Sequence, residues 1–307
     1  MKQRTITAFF MLIILLPLVV IDHPIAEWGF FGVAIIFSVM ATYELINMMY
    51  HKAPSLKMFR YIIPLFSGII TVLACLATKK AAGDMDFLNE YFIYHFYVLI
   101  AFLTFSAITL GMLIFTPHTT TKEVFGCLAS LAYGGLIFGY VMSIRYLKPI
   151  NINKTSIALN GVKSFIYVYS IVVATDLFAY FIGTKIGKRK LCPEISPKKS
   201  VEGAIAGFIA GTVAGTVVAF ATKIVNPAAN QVFITILGVV CLSALLSLAV
   251  QLGDLIASKI KRGYELKDFS NLFPGHGGVL DRFDSLLYAG IWFYIIIQAA
   301  ELFLIGV

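Results

Sequence analysis

Residues 91–115 read YFIYHFYVLIAFLTFSAITLGMLIF, a run without a single Asp, Glu, Lys or Arg. At about 1.5 Å per residue, such a run is long enough to cross the roughly 30 Å hydrocarbon core of a bilayer as one helix. A helix that is apolar on every face has no side to turn toward water. Working outward, runs of the same kind occur at 6–22, 28–50, 60–78, 124–145, 164–187, 203–225, 230–257 and 286–306. In lipid the backbone must satisfy its own hydrogen bonds, so the sequence predicts an all-α polytopic integral membrane protein of about nine transmembrane helices with short loops.

Composition points the same way. Of 307 residues, 59% are hydrophobic and only 13% are charged, whereas a soluble domain carries about 25% charged residues. The net charge of +8 would suit nucleic acid if it formed a patch. The Lys and Arg side chains instead sit in loops between apolar runs, as orientation charges and headgroup contacts do, and nucleic acid is not an expected partner. Cys75, Cys127, Cys192 and Cys241 are scattered with no CxxC pair, which predicts neither a disulfide framework nor a thiolate metal site. No small-x-small cleavage site follows the first apolar run, so it reads as an uncleaved span and not as a signal peptide.

Nine spans put the two termini on opposite sides. With Lys2 and Arg4 cytoplasmic, the loops 51–59, 116–123, 188–202 and 258–285 are cytoplasmic too and hold most of the Lys and Arg. That bias is the one the positive-inside rule requires. The loop at 146–163, with Lys148, Lys154 and Lys163, runs against it. Residues 1–160 then form an N-terminal set of about five helices, and 161–307 a C-terminal set of about four with cytoplasmic loops 185–203 and 258–285, together one structural unit.

Three places break the apolar rule. Asp176 lies near the middle of the sixth span, where a charge is costly unless paired, hydrated or metal-bound. The favoured reading is a carboxylate facing a polar cavity; the bland one is a structural partner for a neighbouring helix. Glu44, near a helix end, is weaker evidence for a site, because a carboxylate there can simply reach water. The loop from Lys185 to Lys190 can set topology alone, but Ser196-Pro197-Lys198-Lys199-Ser200 runs into a helix with Gly203, Gly207, Gly211 and Gly215. Hydroxyls, cations and open backbone N–H groups there suggest a triphosphate cradle, and the glycine stripe suggests close helix packing.

The third place, 251–284, is the most informative. Asp281 and Asp284 are three apart and share a face if they open a helix. Asp254 is a further carboxylate, and hard oxygens in that number suit Mg²⁺, with a second cation allowed. Gly275, Gly277 and Gly278 flank His276 and let the backbone approach a phosphate. Lys261, Arg262, Lys267 and Arg282 supply the positive charge that a triphosphate needs.

Ser258, Ile260-Lys261-Arg262, Lys267-Asp268, Ser270, Phe273-Pro274, His276-Gly277-Gly278-Val279 and Asp281-Arg282-Phe283-Asp284, at their spacings, resemble the signature of the phosphatidate cytidylyltransferases. The likeness extends to Gln251, Gly253-Asp254, Asp176, Ala179-Tyr180-Phe181 and the stretch from Lys190 to Gly203. It departs at Leu177-Phe178, where the family has Thr-Gly, and at Ser200-Val201, where it has Thr-Trp.

The resemblance implies Mg²⁺-dependent attack of phosphatidic acid on the α-phosphorus of CTP, giving CDP-diacylglycerol and pyrophosphate. Carried over, it makes Asp254, Asp281 and Asp284 metal ligands and, with Lys267, catalytic. Lys198, Lys199, Lys261, Arg262, Arg282, Asp176 and His276-Gly277-Gly278 become substrate contacts. Expected partners are CTP, phosphatidic acid and membrane lipids, with a homodimer allowed, and the expected location is a bacterial plasma membrane with the site facing the cytoplasm. The alternatives are a CTP-dependent enzyme on another lipid phosphate or alcohol, and an ion-coupled transporter.

Overall fold

The computed structural model describes residues 13, 15–81, 87–147, 160–225, 232–273 and 277–305. Among them, eight helices are long and apolar enough to cross a membrane. They are α1 (Pro24–Tyr50), α2 (Phe59–Ala81), α3 (Phe87–Ile114), α4 (Thr121–Tyr146), α5 (Gly161–Ile186), α6 (Val201–Ala221), α7 (Val232–Gly263) and α8 (Leu280–Ile305). The expected all-α membrane class is what the chain forms. Of the expected first span, residues 13 and 15–20 are helical, 21–22 are not, and 6–12 and 14 fall outside the described residues. So do Lys148 and Lys154 of the dissenting loop.

Two helix ends differ from the apolar limits. α7 runs on to Gly263 where 257 was expected, and α8 starts at Leu280 where 286 was expected. Hydropathy marks the slab that lipid solvates, whereas helical hydrogen bonding continues beyond it. Between α5 and α6 the expected loop is in part an antiparallel hairpin, β1 (Lys190–Cys192) with β2 (Ser196–Ser200).

The chain divides into two compact units. The first holds residues 1–146 with 266–282, and the second holds 147–265 with 283–307. The main division falls at 146/147, where the sequence suggested 160/161, and the signature segment 266–282 belongs with the N-terminal helices. Helix α8 starts in the first unit and continues in the second.

In the first unit α2 packs against α1, α3 and α4. Helix α4 contains a π-helical turn, Ala132–Ile137, around Gly134 and Gly135. The Gly134 carbonyl there accepts from Ser38 Oγ at 2.7 Å, and the Ser38 hydroxyl accepts from Thr71 Oγ1 at 2.7 Å. A Cβ on Gly135 would come within 3.0 Å of the Ser67 backbone.

In the second unit α6 packs against α5 and α7, which also meet each other. The glycine stripe is the packing surface. Gly203, Gly207, Gly211 and Gly215 are buried. A Cβ on Gly207 would stand 2.7 Å from the Thr175 carbonyl, and one on Gly215 2.7 Å from Ile171 Cδ1. The opposite face of α6 carries Ile205, Ile209, Val213 and Val217, all exposed as a lipid-facing surface should be. Thr175 and Ser247 hydroxyls bond at 2.9 Å where α5 meets α7.

Candidate active site

Three carboxylates gather in the second unit, each from a different helix: Asp176 of α5, Asp254 of α7 and Asp284 of α8. Asp284 is buried, Asp254 is half-buried and Asp176 is exposed. The Asp254 Oδ2 receives Lys199 Nζ at 2.5 Å, and its Oδ1 accepts from Ser258 Oγ at 3.4 Å. Asp176 lies near the Ser285 side chain and within range of the charges of Asp254 and Lys199. Asp284 accepts from the Ser285 backbone N–H at 2.7 Å and feels those of Asp254, Lys261 and Asp176. The carboxylates of Asp176, Asp254 and Asp284 and the ammonium groups of Lys199 and Lys261 thus stand close enough for their charges to interact, and like charges brought together favour a proton or a cation between them.

Local structure explains the placement of Lys199. Ser200 caps α6, its hydroxyl accepting from the Gly203 N–H at 3.2 Å. The Glu202 carboxylate accepts from the N–H groups of Lys188 at 3.1 Å and Arg189 at 3.2 Å. These bonds close the hairpin on the helix start and carry β2 past α7. They also correct an expectation. The Gly203 N–H is taken by Ser200 and the Val201 N–H by the Arg189 carbonyl at 2.9 Å, so these two groups do not form an open anion cradle. Lys198 is exposed on β2. Arg262 is exposed as well, and its Nε donates to the Ile195 carbonyl at 3.4 Å. Gly253, one residue before Asp254, lies under α8, where a Cβ would meet the Asp284 carbonyl at 2.8 Å and Tyr288 Cβ at 2.7 Å. Glycine lets α7 and α8 approach at the level of their two acids.

The first unit holds the signature segment through another acid. Glu44, on α1, is buried. Its Oε1 accepts from Ser270 Oγ at 2.6 Å and from the Val279 N–H at 2.8 Å, and its Oε2 accepts from the Leu280 N–H at 3.0 Å. A carboxylate at a helix N-terminus satisfies orphan N–H groups and meets the positive end of the helix dipole. Glu44 thereby fixes where α8 begins. The sequence reading, a helix-end carboxylate reaching water, is overturned by this burial. One face of α1 carries Ala34, Ala41, Glu44 and Met48, all buried. That spacing was visible in the sequence, but an apolar face toward protein and one toward lipid look alike there.

Asp281 shapes the same segment. Its Oδ2 accepts from the Phe269 N–H at 2.8 Å and the Gly278 N–H at 2.9 Å. Gly277 has φ +80, a left-handed conformation that suits glycine, and its carbonyl accepts from the Phe273 N–H at 2.9 Å. At Gly278 a Cβ would run into the Glu44 carboxylate. Lys267 and Arg282 are exposed. His276 lies outside the described residues, as do Pro274 and Gly275.

The expected metal trio divides between the units: Asp254 and Asp284 fall in the second, Asp281 in the first. Asp281 and Asp284 do share the start of α8, as their spacing predicts. Among the described residues, no three His, Cys, Asp or Glu side chains stand close enough to enclose a metal ion. The donors of the second unit are hard carboxylate oxygens. That set fits a cation such as Mg²⁺, which keeps several waters and takes one or two carboxylates plus substrate phosphates.

Known proteins resemble the whole chain. The Cytidylyltransferase family profile matches residues 2–300. A phosphatidate cytidylyltransferase of Bacillus subtilis (strain 168) is 31% identical over 298 residues, 97% of each chain. The proteins of that name from Staphylococcus epidermidis (strain ATCC 12228) and Staphylococcus aureus (strain COL) are each 30% identical, over 296 and 297 residues, covering 94% of this chain and 95% of theirs.

Proposed function

The chain belongs to the cytidylyltransferase family, and on that premise we propose that it makes CDP-diacylglycerol from phosphatidic acid and CTP in a bacterial plasma membrane. The observation that carries this reading is the gathering of Asp176, Asp254 and Asp284 with Lys199 and Lys261 inside a bundle of membrane helices. A phosphate oxygen of phosphatidic acid forms a bond to the α-phosphorus of CTP. The bond from that phosphorus to the bridging oxygen of the β-phosphate breaks, and pyrophosphate leaves with the electron pair. A phosphate monoester dianion is already a nucleophile, so no side chain need act as general base.

Both reactants are polyanions, and their mutual repulsion is the main obstacle to reaction. Asp254 and Asp284, with Asp176 beside them, would hold Mg²⁺, which supplies charge neutralisation at the phosphates. Lys199 now sits on Asp254; Lys199, Lys198, Lys261 and Arg262 serve as phosphate contacts in the second unit. In the first unit Lys267, Arg282, His276 and the Gly277 backbone play that part, with Asp281 holding the segment's shape through the Gly278 N–H. The helix ends that carry these charges face the cytoplasm, where CTP is found.

The test is direct. Purified protein in detergent, given dioleoyl phosphatidic acid, radiolabelled CTP and Mg²⁺, is expected to release pyrophosphate and label the lipid. Folded protein that binds CTP and labels a different lipid phosphate, but not phosphatidic acid, overturns the substrate assignment.

A further inference from the structure

Arg60 stands in the first turn of α2 with none of the carboxylates among the described residues within 4 Å. Its guanidinium lies 5.2, 4.9 and 5.2 Å from the ring centroids of Tyr43, Tyr50 and Tyr61, and it donates to the Tyr43 hydroxyl. Its Nε is buried and has no hydrogen-bond partner among the described residues. Aromatic faces attract a cation but do not satisfy its N–H donors. Arg60 is therefore held in place by α1 and α2 while part of its hydrogen-bonding capacity goes unused.

A cavity of about 340 Å³ opens beside it, lined by Val39, Met40, Pro64 and Leu272 together with Arg60, Glu44 and Ser270. That volume falls within the roughly 300–1,000 Å³ of small-ligand sites. Glu44 forms no ion pair with Arg60, and its carboxylate is bonded instead to Ser270 and the Val279 and Leu280 N–H groups. The groove thus has a cationic end at Arg60, a hydrogen-bonded Glu44–Ser270 pair and otherwise aromatic and apolar walls. Beside it Tyr61 and Leu65 are exposed along α2, as side chains in contact with lipid are. A molecule matching both features has an anionic head and a hydrocarbon body. Ser270 and Leu272 of the wall also belong to the signature segment, which ties the groove to the reaction and not merely to the surrounding bilayer.

We propose that the Arg60 groove is a phosphatidic acid subsite, with the Arg60 guanidinium on the lipid phosphate and an acyl chain along Val39, Met40, Pro64 and Leu272. This rests on the proposed function for the identity of the lipid, and its test does not depend on turnover. Fluorescent phosphatidic acid is titrated against the purified protein in mixed micelles without CTP, for wild type, Arg60→Gln, Arg60→Lys and Met40→Trp. Losing a charged hydrogen bond should weaken lipid binding at least about tenfold in Arg60→Gln, with part recovered in Arg60→Lys. Met40→Trp should weaken binding by filling the groove while the guanidinium stays.

In turnover, the same variants should raise the KM for phosphatidic acid and leave the KM for CTP within about twofold. Arg60-dependent lipid binding in a protein that makes no CDP-diacylglycerol would keep the groove and remove the proposed reaction. Three results overturn the groove: unchanged lipid binding in Arg60→Gln, equal displacement of the probe by phosphatidylglycerol and phosphatidic acid, or a parallel loss of both substrates with a lowered melting temperature.

Discussion

Glu44 and Asp254 are both carboxylates on membrane-spanning helices, and their surroundings differ in kind. Glu44 has 4% of its surface exposed, and its described donors, one hydroxyl and two backbone N–H groups, are fixed by the fold. Asp254 has Lys199 at 2.5 Å, and that pair is partly exposed, at 28% and 31%. It also has two further acids close enough for repulsion. The first arrangement is complete without a ligand. The second brings like charges together and leaves its ion pair in partial reach of solvent. Depth in the membrane therefore does not mark a functional acid; the nature of its partners does.

The largest expected effect that would sharpen this contrast is Asp284→Asn. It should lower turnover about 10- to 100-fold while the melting temperature holds or rises, because a repelled charge is gone. Activity and thermal melts on the same preparation check it. Glu44→Ala should behave in the opposite way. It strands two backbone N–H groups at the start of α8 and should cost about 2–3 kcal/mol of stability, read as a lowered melting temperature with activity falling in step. A Glu44→Ala protein that melts normally would break the comparison. Lys199→Met should reduce kcat/KM for CTP about tenfold with little change in melting, since Asp254 can still reach water or a cation. Smallest is Gly278→Ala, where the new Cβ meets the Glu44 carboxylate. A shift of the segment should cost about 1–2 kcal/mol, and Glu44→Asp in the same chain should relieve part of it.

The membrane class was legible because lipid demands long uncharged helices, and runs such as 91–115 satisfy that demand on their own. The acids at 254, 281 and 284 were legible because charge is scarce in this chain and their spacing matched a known signature. Glu44 was not, since its partners lie more than 200 positions away, with 226 residues separating it from Ser270, and no local pattern encodes such a contact. The hairpin at 190–200 was hidden for a different reason. Its lysines read as a loop that sets topology or cradles phosphate, and only the capping by Ser200 and Glu202 shows them bent into strands. The same capping explains why the expected row of open N–H groups at the start of α6 is interrupted at Val201 and Gly203.

The most direct measurement is the initial rate of CTP-dependent lipid labelling by Asp254→Asn, at a protein concentration corrected for folded fraction. If the Asp176–Asp254–Asp284 cluster carries the chemistry, the rate should fall below about a tenth of wild type, with an unchanged melting temperature and a shifted Mg²⁺ dependence. A rate within about threefold of wild type at the same Mg²⁺ concentration would contradict the account, because losing a cation's carboxylate should cost more than that.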